Sequence, residues 1–167
     1  MPTLFGFIYI PYLLHFFIQT YHLNTAYGND SNSGLFMSFW VVLIALSTDI
    51  GGYLFGKTLG KTKFSIISPN KTNEGVIGGV LLAPVVAVLL VILFAGIKPD
   101  QFHWWQAFFI AIPLALSSIA SDLLESAFKR QAGEKDSSNL IPGIGGVFDM
   151  CDSLILTAPL AYLLLKY

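Results

Sequence analysis

Five apolar runs separated by polar stretches set the pattern of the chain, at residues 4–20, 35–55, 76–97, 102–124 and 147–165. A helix crosses the hydrocarbon core of a bilayer with roughly 20 mostly apolar residues, within a range of about 17 to 25. Each run fits. Lipid offers the backbone no hydrogen-bond partner, so a helix, which satisfies its own N–H and C=O groups, is the economical structure for such runs. Outer-membrane strands would alternate apolar and polar residues, and residues 85–94, VVAVLLVILF, do not. Pro11, Pro84, Pro113 and Pro159 fall inside the runs, where a bundle can absorb kinks, so bent helices are expected. The expected fold is all-α: a polytopic transmembrane helix bundle of about five spans, forming one domain over residues 1–167.

Composition strengthens that picture. Hydrophobic residues make up 54% of the chain and charged ones 11%, against about 25% charged in an ordinary soluble domain. The apolar excess is spread along the whole length, which excludes a soluble core with one anchor. The N-terminal run has no Lys or Arg before it and no clear small-residue cleavage site, so it reads as a span rather than a cleaved signal peptide. A net charge of −1 gives no reason to expect nucleic acid. The single cysteine, Cys151, excludes an internal disulfide, and no Cys/His spacing suggests zinc.

The placement of charge says more than its sum. The connection over 21–34 has Asp30 and no Lys or Arg, whereas the second connection has Lys57, Lys61, Lys63 and Lys71 and the fourth has Lys129, Arg130 and Lys135. Basic connections lie on the cytoplasmic side, which puts connections two and four and the N-terminus inside and Lys166 outside. Trp104 and Trp105, beside His103, then form an aromatic belt on the outer side. Fifteen of the nineteen formally charged side chains map to the inner face. Solvated loops account for the lysines but not for Asp49, Asp122, Asp149 and Asp152, which lie within or at the ends of apolar runs, where an ionised carboxylate costs several kcal/mol (about 3 or more).

Spacing groups these acids. Asp122, Glu125/Ser126 and Lys129 follow i, i+3/i+4, i+7 and form one polar stripe on a helix, and Asp149 and Asp152 share a face of the next. Two carboxylate faces at a membrane boundary suit a hard divalent cation such as Mg²⁺, which takes oxygen ligands and shares them with phosphates. An ion-pair network between helices is the alternative. Lys57, Lys61, Lys63 and Lys71, interleaved with Gly56, Gly60 and Gly75, would form a flexible cationic collar for phosphates, although inward-facing basic loops look alike in many membrane proteins. The run 142–146, PGIGG, leads into the fifth helix, whose N-terminus would receive an anion or simply re-enter the membrane tightly.

At these residues the chain resembles the phosphatidate cytidylyltransferases, or CDP-diacylglycerol synthases. Ser126, Lys129, Arg130, Lys135, Asp136, Pro142, Gly143, Gly145, Gly146, Asp149 and Asp152 stand where that family's C-terminal signature has matching residues, and residues 47–61 and 68–75 resemble an earlier family pattern whose aspartate is Asp49. The resemblance runs from about Thr3 to the C-terminus. Ile144 replaces the family's usual histidine, Met150 its arginine, and Thr48 separates Asp49 from its serine. Family members are longer, so this chain is expected to lack some of their N-terminal spans.

The resemblance implies transfer of a cytidylyl group from CTP to phosphatidic acid, with Mg²⁺ as cofactor, in phospholipid biosynthesis. CTP, phosphatidic acid and membrane lipid are the implied partners, with a homodimer as an option, and the site would face the cytoplasm at the cell (inner) membrane. Asp122 and Asp149 would hold the metal first, with Asp152 and Asp49 behind them as ligands or orienters. Asp122, Ser126 and Asp149 would be catalytic. Lys129, Arg130 and Lys135 would grip the triphosphate, and Lys57, Lys61 and Lys71 would draw in the lipid headgroup. Because every carboxylate and lysine of the pattern remains, a divergent active enzyme is expected. A transporter or channel subunit, or a catalytically impaired relative acting as a membrane partner, is the alternative.

Overall fold

The computed structural model describes residues 2–23, 31–65, 68, 71–131 and 147–166, with side chains at all of these except 2–10, 31 and 147–151. Among them are five helices and no strand: α1 (Pro2–His22), α2 (Ser31–Leu59), α3 (Asn73–Leu93), α4 (Trp104–Gln131) and α5 (Val147–Lys166). The fold is an all-α membrane bundle. Residues 32–59, 73–93 and 104–131 are each long and apolar enough to cross a bilayer. Many large apolar side chains point outward, Leu81 at 65% and Leu93 at 67% exposure among them; water would not tolerate so continuous an apolar surface, and lipid favours it. Pro11, Pro84, Pro113 and Pro159 each lie inside a helix that runs through them.

Most helix ends shift by a few residues from the hydropathy pattern, and two of the shifts have a visible cause. α3 stops at Leu93 rather than at 97, because the chain turns there: Ile97 and Lys98 both donate their backbone N–H to the Phe94 carbonyl, at 3.0 Å. α4 continues past 124 to Gln131, because a helix leaving the membrane stays a helix while its side chains turn polar. The start of α3 is fixed by Thr72, whose hydroxyl accepts the Gly75 N–H at 3.1 Å as an N-cap.

α2 packs most extensively along α3, α4 lies against both, α5 packs on α4, and α1 closes the bundle against α5 and α2. The core lies between α2, α3 and α4, where Trp40, Val41 and Ile44 meet Ala83, Ala87, Phe102, Ala107, Ala111 and Leu114. Alanines on one side let the indole fit: Trp40 Nε1 donates to the Ala87 carbonyl at 3.1 Å, and its ring meets Phe102 edge to face at 5.1 Å. Nearer the other end of α2 the helix backbones themselves touch. A Cβ on Gly79 would stand 2.5 Å from the Thr48 carbonyl oxygen, and one on Gly75 2.5 Å from that of Gly52.

The helices run antiparallel in sequence order. The end of α2, the start of α3, the end of α4 and the start of α5 therefore share one pole of the bundle. Trp104 and Trp105 lie exposed at the opposite pole, where an aromatic belt is expected.

Candidate active site

The charged pole is built from four helices and one hairpin. After α2 the chain reverses: Phe64 N–H donates to the Lys71 carbonyl at 2.8 Å, Asn73 N–H to that of Thr62 at 3.0 Å, and Lys63 bridges Thr72 in antiparallel fashion. Glu74 holds the reversal, accepting from the Thr62 N–H at 3.3 Å and its hydroxyl at 3.1 Å. The sequence pattern suggested a flexible collar because glycines alternate with the lysines. Gly56 and Gly75, however, lie inside α2 and α3, where they let the helices pass close to Thr72 rather than loosening a loop.

This hairpin delivers Lys71 to Asp122 of α4, with which it forms an ion pair; the two side chains are 25% and 24% exposed. Both line a cavity of about 290 Å³ whose walls are Thr48, Asp49, Gly52 and Tyr53 of α2, Ser68 and Thr72 of the hairpin, Gly75 and Val76 of α3, and Ile119 of α4. One turn beyond Asp122, Glu125 is buried and pairs with Lys129 at 3.1 Å. From α5, Asp152 brings a carboxylate oxygen within 4.8 Å of one on Glu125. Ser121 fixes that meeting, its hydroxyl donating to the Asp152 carbonyl and accepting the Leu156 N–H at 3.3 Å.

Asp122, Glu125 and Asp152 each offer a carboxylate oxygen within 4.8 Å of the others. Asp49 sits beside this trio, lining the same cavity as Asp122 and within electrostatic range of Asp122 and Asp152. Among the described residues, four carboxylates thus face two ammonium groups, Lys71 and Lys129, a formal excess of two negative charges. An all-oxygen donor set with that excess fits a hard divalent cation.

The sequence-expected residues fall into three groups. Asp122, Asp152, Asp49 and Lys71 are gathered at the cavity or the trio beside it. Lys57, which is exposed and lies over the Tyr53 ring, Lys61, Arg130 and the half-buried Ser126 are on the same pole but outside the cavity lining. Lys135, the 142–146 run and the side chain of Asp149 lie outside the described residues. Lys129 faces Glu125. His15 bonds Gln19 within α1, and His103 is at the opposite pole. Glu125 joins Asp122 and Asp152 in the trio beyond the expected metal set, and its i+3 spacing from Asp122 is the sequence signal for it. Ser121 and Ser153 carried no such signal, because serines in apolar helices commonly serve only packing.

The family described as Cytidylyltransferase family matches residues 1–167. The chain is 37% identical over 132 residues to the phosphatidate cytidylyltransferase of Helicobacter pylori strain 26695, covering 79% of the chain and 48% of the relative. It is 37% identical over 159 residues to the enzyme of that name from Bacillus subtilis strain 168, covering 95% and 55%. With that of Synechocystis sp. strain PCC 6803 it shares 39% over 139 residues, covering 82% and 45%. The chain spans about half the length of the curated relatives it matches.

Proposed function

The chain belongs to the cytidylyltransferase family, and from that premise we propose that it transfers the cytidylyl group of CTP to phosphatidic acid, giving CDP-diacylglycerol and pyrophosphate. The observation that carries this reading is the junction, at one pole of an apolar bundle, of an oxygen-only acidic trio with a cavity into which Lys71 projects. An oxygen of the lipid phosphate attacks the α-phosphorus of CTP, the bond to the bridging oxygen breaks, and pyrophosphate leaves with the electron pair. No protein nucleophile is required. The difficulty is holding two polyanions together in line.

The residues divide that task. Asp122, Glu125 and Asp152 would hold Mg²⁺, with Asp49 orienting from α2, and Asp149 joins them in the proposal. When bound, the ion supplies charge neutralisation at the phosphate oxygens. Lys71 presents an ammonium group to a phosphate in the cavity. Arg130, near the end of α4, extends the positive field toward the triphosphate, Lys135 grips it as well, and Ser126 donates a hydrogen bond to it. Lys57 and Lys61 attract the anionic headgroup from a distance rather than by contact. The active pole faces the cytoplasm of the cell membrane, because it bears the basic connections, CTP is soluble, and the acyl chains stay in the bilayer.

Purified chain in detergent, given α-³²P-labelled CTP, phosphatidic acid and Mg²⁺, should place label in an organic-soluble product, and γ-labelled CTP should not. A transporter would consume no CTP. Absence of lipid-borne label under these conditions overturns the proposal.

A further inference from the structure

Resting on the metal reading above, we propose that Lys71 is the resident counter-ion of the metal site: Asp122 exchanges its ammonium group for the divalent cation, and the exchange frees Lys71 for a substrate phosphate. Asp122 belongs at once to the Lys71 ion pair and to the three-carboxylate group. A monovalent and a divalent cation at the same carboxylate repel each other, so the two occupancies compete. Lys71 is able to leave. It comes from the hairpin, 51 residues away in sequence, on a flexible four-carbon stem, with its cavity wall open to a phosphate. Lys129 differs, because it pairs with Glu125 four residues away on the same helix and is not among the residues that line the cavity. Linkage then makes cation and phosphate binding reinforce each other: each favours the arrangement in which Lys71 has left Asp122.

The test is Mn²⁺ binding to the purified full chain, followed by electron paramagnetic resonance with no nucleotide present. Lys71→Met removes the competitor and should tighten Mn²⁺ about tenfold, within the usual span of such couplings. Lys71→Arg supplies a fork that grips the carboxylate more firmly and should weaken it. These opposite signs at one position separate competition from damage to the fold. Lys63→Met, on the same hairpin but exposed and outside the cavity lining, should change affinity by less than about twofold, since a solvent-exposed charge is worth little. Inorganic pyrophosphate should strengthen Mn²⁺ binding more in the wild type than in Lys71→Met. If Lys71→Met and Lys71→Arg shift affinity in the same direction, or Lys63→Met matches the gain of Lys71→Met, the exchange is wrong while the metal site stands. If neither the wild type nor any variant binds Mn²⁺, the metal site itself is wrong.

Discussion

Replacing Gly79 by alanine should disable the site without touching a charged group. The added Cβ would stand 2.5 Å from the Thr48 carbonyl oxygen and 3.3 Å from the Gly52 nitrogen, whereas ordinary contact begins at 3.4 Å. Neither neighbour is a side chain that can rotate away, so α3 must move off α2 by about 0.9 Å, the amount by which 2.5 Å falls short of 3.4 Å. Overpacking of this kind costs about 1–3 kcal/mol. Thr48 and Gly52 are also cavity walls, and Asp49 lies between them on α2. A displacement near 1 Å in a site that aligns two phosphates can lower turnover by about 100-fold. Turnover of labelled CTP by detergent-purified Gly79→Ala should therefore fall by one to two orders of magnitude, with a lowered thermal midpoint. Gly96→Ala, where a Cβ meets nothing within 4 Å, should behave as wild type. Wild-type turnover in Gly79→Ala, or equal damage from Gly96→Ala, would refute the geometric argument.

Two further outcomes follow from the hairpin and the bundle poles. Glu74→Ala should loosen the reversal that carries Lys71 and raise the KM for phosphatidic acid by about three- to tenfold, as expected for losing hydrogen bonds to a charged acceptor; Glu74→Gln, which still accepts from Thr62, should restore most of it, and an unchanged KM in the alanine variant would contradict this role. A cysteine placed at Lys63 should label with membrane-impermeant thiol reagent only from the cytoplasmic side, and labelling from the outside would reverse the proposed orientation.

The helices were legible because hydropathy over some twenty residues is a summed signal, and each apolar run became part of one helix. Their ends were less so. Phe94 and the turn after it are as apolar as the helix they terminate, and the polar end of α4 is helical for reasons that hydropathy does not measure. The acidic pole was legible from the cost of carboxylates in apolar runs and from the Asp122 stripe. The pairing of Lys71 with Asp122 was not, because it depends on how a hairpin folds back across 51 residues. Equally hidden was the use of Glu74, an acid among basic neighbours that fastens a turn instead of facing the cavity.

The central claim, that Asp122, Glu125 and Asp152 form the catalytic metal centre, is tested most directly by CTP turnover against Mg²⁺ concentration in Asp122→Asn and Glu125→Gln, using only protein whose melting curve shows it folded. Loss of the shared charge should abolish turnover in Asp122→Asn, and in Glu125→Gln should lower it while shifting the Mg²⁺ requirement upward. If the carboxylates only pair with lysines, the variants lose stability, yet folded protein keeps substantial turnover with the wild-type Mg²⁺ dependence, and that result would contradict the account.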